Sequence, residues 1–122
     1  MFRNKLAVQV FILLLIIGGA NSAQVYEANI HKEEINKLIL AIQNSECDFY
    51  RNDKRYSPQD AAKHLRLKWK RGEKYANTAE QFIINLASFS SFSKRPYLID
   101  CGNQENQPIR PWLESTLEQI RQ

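Results

Sequence analysis

The sequence predicts a small α+β domain that follows an export signal. An apolar run lies near the start, several later segments carry apolar residues at helical spacing, and short aromatic-rich segments contain both cysteines. Helical spacing indicates amphipathic helices, and short segments rich in aromatic residues between turn-prone residues indicate strands. We therefore expect a three-stranded antiparallel sheet packed against about four helices, with one disulfide.

The N-terminal segment has the layout of a signal peptide. Arg3 and Lys5 precede a run of apolar residues from 6 to 20, which ends in small residues. A membrane-spanning helix needs about 20 predominantly apolar residues, and this run is shorter, so cleavage is favoured over anchoring. The alternative is a retained N-terminal membrane anchor.

Cleavage after Ala20 or Ala23 fits the small residues at the end of this run. We predict a signal peptide over residues 1–23 and a single domain over residues 24–122. The product is then a periplasmic protein without stable membrane insertion, and we expect a monomer.

The charge balance limits the kinds of partner. The chain has 17 basic and 13 acidic residues, and two of the basic residues fall in the predicted signal peptide, so the mature chain carries about +2. A nucleic-acid-binding domain is usually strongly basic, so nucleic acid is not an expected partner. The expected partner is an envelope protein or an anionic ligand that binds a local basic patch.

Cys47 and Cys101 are the two cysteines of the chain. An oxidising compartment lets a disulfide persist, and the bridge would close a loop of about 55 residues, worth roughly 4 kcal/mol in the chain-entropy model. The alternative is two free thiols. Two cysteines and two scattered histidines make a poor zinc site, so we predict no metal and no cofactor.

Four helices are predicted from apolar spacing and end signals. The first covers Glu27 to Asn44, the second follows the cap Ser57 and ends near Arg71, the third opens at Thr78, and the last starts at Pro111. A hydroxyl cap followed by proline or an acidic residue is favourable at a helix start.

Three strands are predicted between these helices. Residues 47–51 and 54–56 form a hairpin around Asn52 and Asp53, and residues 96–101 form a later strand with proline at its entry. Side chains alternate between the two faces of a strand, so we expect Cys47 and Cys101 both to face the core.

Several motifs in one order resemble a known family. They are Ser45-x-Cys47-x-Phe49-x-Arg51-Asn52, Tyr56, Ala62-x-His64-Leu65, Thr78-Ala79-Glu80-x-Phe82-Ile83, Ala87-Ser88-x-Ser90-Ser91-x-Ser93 and Pro96-Tyr97-x-Ile99. This order resembles domain-of-unknown-function family 5329, small exported proteins of Gram-negative bacteria. The resemblance covers the chain from about Ile30 onward and implies one periplasmic domain without naming an activity. Asp53 is a departure, since glycine is expected after Asn52.

A serine-rich loop is one candidate binding site. Its hydroxyl, backbone and cationic groups could hold a phosphate or carboxylate. The residues are Ser90, Ser91, Ser93, Lys94 and Arg95. The alternative is that the serines satisfy backbone groups in a tight connection while Phe89 and Phe92 pack inward.

The second predicted helix carries a basic face, which is another candidate surface. Lys63, Arg66 and Lys70 point outward on a helical wheel, near an exposed Leu67. Such a face could meet an acidic protein or an anionic lipid. The alternative is a solvated face whose stems cover apolar surface.

The favoured function is a non-enzymatic binding or interaction module, because no complete set of catalytic residues is evident. The first alternative is a small envelope hydrolase with a serine of the 88–93 loop as nucleophile and His64 or Lys94 as base. The second is an inhibitor that blocks another protein's active site.

Overall fold

The computed structural model describes the backbone of residues 2–103 and 105–122, and the side chains of residues 21–103 and 105–122. The chain divides into two compact units, Met1–Ile30 and His31–Gln122. The first unit is helical from Phe2 onward. Most of the predicted signal peptide lies outside the residues whose side chains are described, so that segment stays a prediction.

The second unit has an α+β fold, as expected. The elements are α1 (Phe2–Asn44, which crosses from the first unit), β1 (Asp48–Arg51), β2 (Lys54–Tyr56), α2 (Pro58–Arg71), a 3₁₀ turn (Glu73–Tyr75), α3 (Ala79–Phe82) with a π-helical continuation (Ile83–Ala87), β3 (Leu98–Asp100), β4 (Gln107–Pro108) and α4 (Ile109–Ile120). In residues 21–103 and 105–122, no helical segment is long and apolar enough to cross a membrane.

Helix ends follow the predicted local signals. The Ser57 hydroxyl accepts from the Asp60 amide at 3.1 Å, and the Thr78 hydroxyl accepts from the Gln81 amide at 3.1 Å. Two starts differ from prediction. The first helix begins well before Glu27, since no proline interrupts it. The last begins at Ile109, because Pro111 is tolerated within the first turn.

The sheet is antiparallel with the order β2-β1-β3-β4. It has one strand more than predicted, because Gln107 and Pro108 pair with Ile99 and Leu98 at the edge of the sheet, where proline is tolerated. The hairpin turn has positive φ at Asn52 (50°) and Asp53 (67°), as a type I′ turn requires. Asp53 therefore adopts the conformation expected of glycine.

The predicted disulfide joins Cys47 to Cys101, with 4.2 Å between their Cα atoms. Cys47 is buried, whereas Cys101 is exposed, which corrects the expectation that both face the core. The reason is that β3 ends at Asp100, so the strand alternation that buries Tyr97 and Ile99 does not extend to Cys101.

The core lies between the sheet and the helices. Its largest fully buried side chains come from α1, α3 with its continuation, and α4; they are Ile35, Leu38, Ile39, Ile42, Phe82, Ile83, Ile109 and Leu113. Trp69 and Trp112 pack against this core from partly buried positions. The face of α2 that carries His64 and Lys68 lies toward the loop that follows residue 87.

Candidate functional site

A groove of about 700 Å³ lies between the hairpin, α2 and the serine-rich loop. Five basic side chains line it, and we call it the basic groove: Arg51, His64, Lys68, Arg71 and Lys94. Arg51 is the last residue of β1, and Lys94 belongs to the loop. His64, Lys68 and Arg71 are spaced by four and three residues on α2, which places them on one face of the helix.

Lys68 lines the groove from α2 and is half-buried. Its ammonium donates to the Tyr97 hydroxyl at 3.0 Å and to the Phe89 carbonyl at 2.9 Å. Burial in the first place, and then the positive charges of Arg51 and Lys94, together lower the pKa of Lys68 to about 8. The charge is therefore present at pH 7 but is held without an opposite charge.

His64 completes a chain of polar contacts with Tyr97. Its Nε2 lies 3.1 Å from the Tyr97 hydroxyl, and a guanidinium nitrogen of Arg51 lies 3.3 Å from the same Nε2. Lysine and arginine only donate, so the Tyr97 hydroxyl accepts from Lys68 and one imidazole nitrogen accepts from Arg51; the His64 tautomer sets the direction of its bond with Tyr97. Burial has the largest effect in lowering the pKa of His64, and the positive charges of Arg51 and Lys68 lower it as well. The ring is therefore neutral at pH 7.

Tyr97 is buried and directly precedes β3. Its hydroxyl contacts the side chains of both Lys68 and His64 on α2. The pKa of its hydroxyl is raised to about 12, mainly by burial, with an opposing effect of Arg51 and a smaller rise from Tyr56. The hydroxyl thus stays protonated at physiological pH. It acts as a neutral acceptor for Lys68 and shares a second hydrogen bond with His64.

None of the 13 acidic residues of the chain, all of which lie in the described part, lines the basic groove. In residues 21–103 and 105–122, no ion pair involves any of the five basic side chains. Burying charge without a partner is unfavourable, and like charges placed together add to the cost. The side chains that line the groove therefore carry an excess of positive charge, which an anion would complement.

Only some of the loop residues that the sequence indicates as a binding site line the basic groove. Ser90, Ser91 and Lys94 line the groove, whereas Ser93 and Arg95 do not. The reason is that Ser93 donates to the Asn52 side chain at 2.6 Å, and Arg95 forms two hydrogen bonds with the Asp53 carboxylate at 2.8 and 3.1 Å. This pair holds the pKa of Asp53 below its ordinary value.

Within the loop, serine hydroxyls also satisfy backbone groups. The Ser90 hydroxyl accepts from the Ser93 amide at 3.3 Å, and the Ser88 hydroxyl donates to the Ile83 carbonyl. Phe92 is not packed inward as the tight-connection hypothesis expects; it is 99% exposed at the groove. The loop reverses direction there, with Lys94 at a φ of 63°, and this turn leaves Phe92 outside.

The predicted basic face of α2 is exposed but lies outside the groove. Lys63, Arg66 and Lys70 are exposed, and none of them lines the groove. Arg66 donates to the Gln43 side chain at 2.8 Å. The structure brings these three residues together on the helix, but not with the loop residues that sequence reasoning also selected.

Sequence reasoning missed the central part of the groove. Neither Lys68 nor Arg51 stands out in the sequence as a site residue, and the pattern around Tyr97 indicates only a strand. The available signal was the spacing of His64, Lys68 and Arg71, which differs from the spacing of the outward face.

The geometry required for a serine hydrolase is not found in the described part of the chain. No hydrogen bond there joins a serine hydroxyl to His64 or Lys94. His64 is instead bonded to Tyr97 and Arg51. Within the same residues, no group of three or more His, Cys, Asp or Glu side chains is arranged to hold a metal ion.

The fold and the groove define a small disulfide-linked α+β protein. The chain belongs to the Family of unknown function (DUF5329), whose model matches residues 29–121 and confirms the resemblance seen in the motifs. It is 39% identical over 71 residues to "Uncharacterized protein YfeK" of Salmonella typhimurium, a match that covers 57% of this chain and 59% of that relative. No solved structure matches the chain.

Proposed function

We propose that this protein is an exported, non-enzymatic binding protein whose basic groove holds the anionic group of a small ligand. The observation that carries the proposal is the set of five basic side chains that line the groove without an acidic partner. The ligand supplies the missing negative charge. Phosphate and carboxylate are the anionic groups that such donors recognise.

The energetics of Lys68 support this assignment. The free protein holds a half-buried ammonium beside other cations, which lowers its pKa to about 8. An anion placed in the groove favours the charged form and reverses part of that cost. Binding therefore gains from relief of repulsion as well as from direct attraction.

The donor geometry also suits an anion. Arg51 presents a planar guanidinium at the end of β1, Lys68 presents a point charge from α2, and Lys94 lies on the loop. Ser90 and Ser91 add neutral hydroxyl donors along the loop side. Charged and neutral donors on three sides of one groove fit the oxygens of a single anionic group.

Export is the second part of the proposal. It is supported by the signal-peptide pattern of residues 1–23 and by the Cys47–Cys101 disulfide, which fits an oxidising compartment such as the periplasm.

Native mass spectrometry tests the proposal on full-length precursor expressed in a Gram-negative host and released gently from the periplasm. We expect a chain shortened near residue 20 or 23 that carries a dissociable anionic molecule. The same molecule should be missing from Lys68→Met and present in Lys70→Met, which makes the same charge change outside the groove. Equal retention by both variants, or a cationic ligand, would contradict the proposal.

A further inference from the structure

A second, smaller cavity of about 40 Å³ adjoins the basic groove. Arg51, His64 and Tyr97 line both cavities, so the two share a border. Beyond that border the smaller cavity is lined almost wholly by apolar surface. The residues that provide this surface are Phe49, Tyr50, Tyr56, Ala61, Leu65 and Ile109. We call this cavity the apolar pocket.

The apolar pocket follows from the packing of α2 on the hairpin. Phe49 and Tyr56 are paired across the two strands and form its floor. Ala61 and Leu65 lie one helical turn apart on α2 and form its wall. Ala61 has the smallest side chain of the lining, so the space above it stays open.

The size and chemistry of the pocket indicate what it can hold. About 10–15 Å³ of such space accommodates one water-sized group, so 40 Å³ corresponds to about three. A buried water needs two to four polar partners, which this lining does not offer. A short aliphatic group fits better, because burying it is favourable and leaves no polar atom unsatisfied.

We infer that the ligand of the basic groove carries a short aliphatic group, of about three carbons, next to its anionic group. The anion lies against Lys68 and Arg51, and the aliphatic group passes the shared border into the apolar pocket. This inference rests on the proposed function, since the anion fixes the position from which the chain enters. The ligand class is thus a small amphipathic anion, such as a short-chain carboxylate.

Calorimetric titration with a series of straight-chain carboxylates tests the inference. The probes are acetate, propanoate, butanoate and hexanoate, with butylammonium as a control that keeps the chain and reverses the charge. Each methylene that becomes buried should tighten binding about fourfold, until the pocket is full and the gain levels off before hexanoate. Butylammonium should not bind.

Two variants separate this inference from the proposed function. Ala61→Leu fills the pocket, so it should bind acetate as the wild type does but lose the gain with chain length. Lys68→Met should weaken binding of every carboxylate. Circular dichroism and a thermal melt establish that both variants are folded.

The outcomes distinguish the two claims. Acetate binding that depends on Lys68 but shows no gain with chain length in the wild type would overturn the inference and keep the proposed function. A gain that persists in folded Ala61→Leu would also overturn it. Failure of the wild type to bind any of the carboxylates, or equal binding by Lys68→Met, would overturn both.

Discussion

The ammonium of Lys68 on α2 donates to the hydroxyl of Tyr97 at 3.0 Å, across 29 residues of sequence. A half-buried cation is therefore held by a neutral oxygen, where proteins commonly provide a carboxylate. The arrangement keeps the charge in place without neutralising it. That is the physical basis for proposing an anion site at the groove.

Replacing Tyr97 with phenylalanine should lower the free energy of unfolding by about 1–3 kcal/mol. The ring still fills its buried position, but Lys68 loses one of its two protein acceptors and His64 loses its partner. Urea denaturation measures the change. Tyr75→Phe removes a hydroxyl from a tyrosine that is 55% exposed and should change stability by less than about 0.5 kcal/mol. Equal losses of stability in Tyr97→Phe and Tyr75→Phe would argue against a stabilising role of the contacts between Tyr97, Lys68 and His64.

Anion affinity should fall as the pH rises through about 8, the pKa of Lys68 in the free protein. A bound anion favours the ammonium, so the complex holds that proton more tightly than the free protein does. If only the charged form binds, affinity falls about tenfold from pH 7 to pH 9. Sulfate is a suitable probe because its own charge is constant over this range. Lys68→Met should remove the fall; a flat wild-type profile would contradict the assignment.

Arg121, at the C-terminal end of α4, should contribute to the stability of the fold. Its guanidinium hydrogen-bonds the Glu34 carboxylate at 2.6 and 3.0 Å and also pairs with Glu80, which ties the end of the chain to α1 and α3. Because one side chain serves two acids, we expect Arg121→Gln to lower the free energy of unfolding by about 1–2 kcal/mol.

Arg110→Gln is the matched control, since it breaks only the surface pair with Glu114 within α4. Its effect should stay below about 0.5 kcal/mol. Chemical denaturation of both variants compares the two, and the difference should shrink in 1 M salt because exposed charges are screened. An Arg121 variant as stable as the Arg110 variant would show that the tie contributes little.

Reduction of the Cys47–Cys101 bridge should lower the free energy of unfolding by about 4 kcal/mol. The two cysteines are separated by 54 positions, so the bridge restricts a large part of the unfolded chain. Urea denaturation with and without a phosphine reductant measures the effect without placing a new side chain at the buried Cys47 position. Coincident curves, with reduction confirmed by mass, would contradict it.

Local signals explain which parts of the fold were predictable. Ser57 and Thr78 cap helices through their own sequence neighbours, and Asn52 and Asp53 form a turn by their own conformations. β4 was not predictable because Gln107 and Pro108 resemble a loop and pair only once β3 is in place. The exposed position of Cys101 likewise depends on where β3 ends.

The candidate site was less predictable than the fold, for a physical reason. Arg51, Lys68 and Tyr97 lie on three separate elements, and no local pattern shows that they meet. Arg95 and Ser93 appear available in the sequence, yet the turn residues Asp53 and Asn52 engage them. Charge and hydroxyl content alone do not reveal which groups are already paired.

The most direct test of an anion site in the basic groove is an NMR titration of the protein with sulfate at constant ionic strength. Wild type and Lys70→Met should show the same saturable shifts of backbone amides around Lys68, Phe89 and Tyr97. Folded Lys68→Met should bind sulfate much more weakly, so its shifts should not saturate over the same concentrations. Absence of saturable shifts in the wild type, or identical titrations of Lys68→Met and Lys70→Met, would contradict the account.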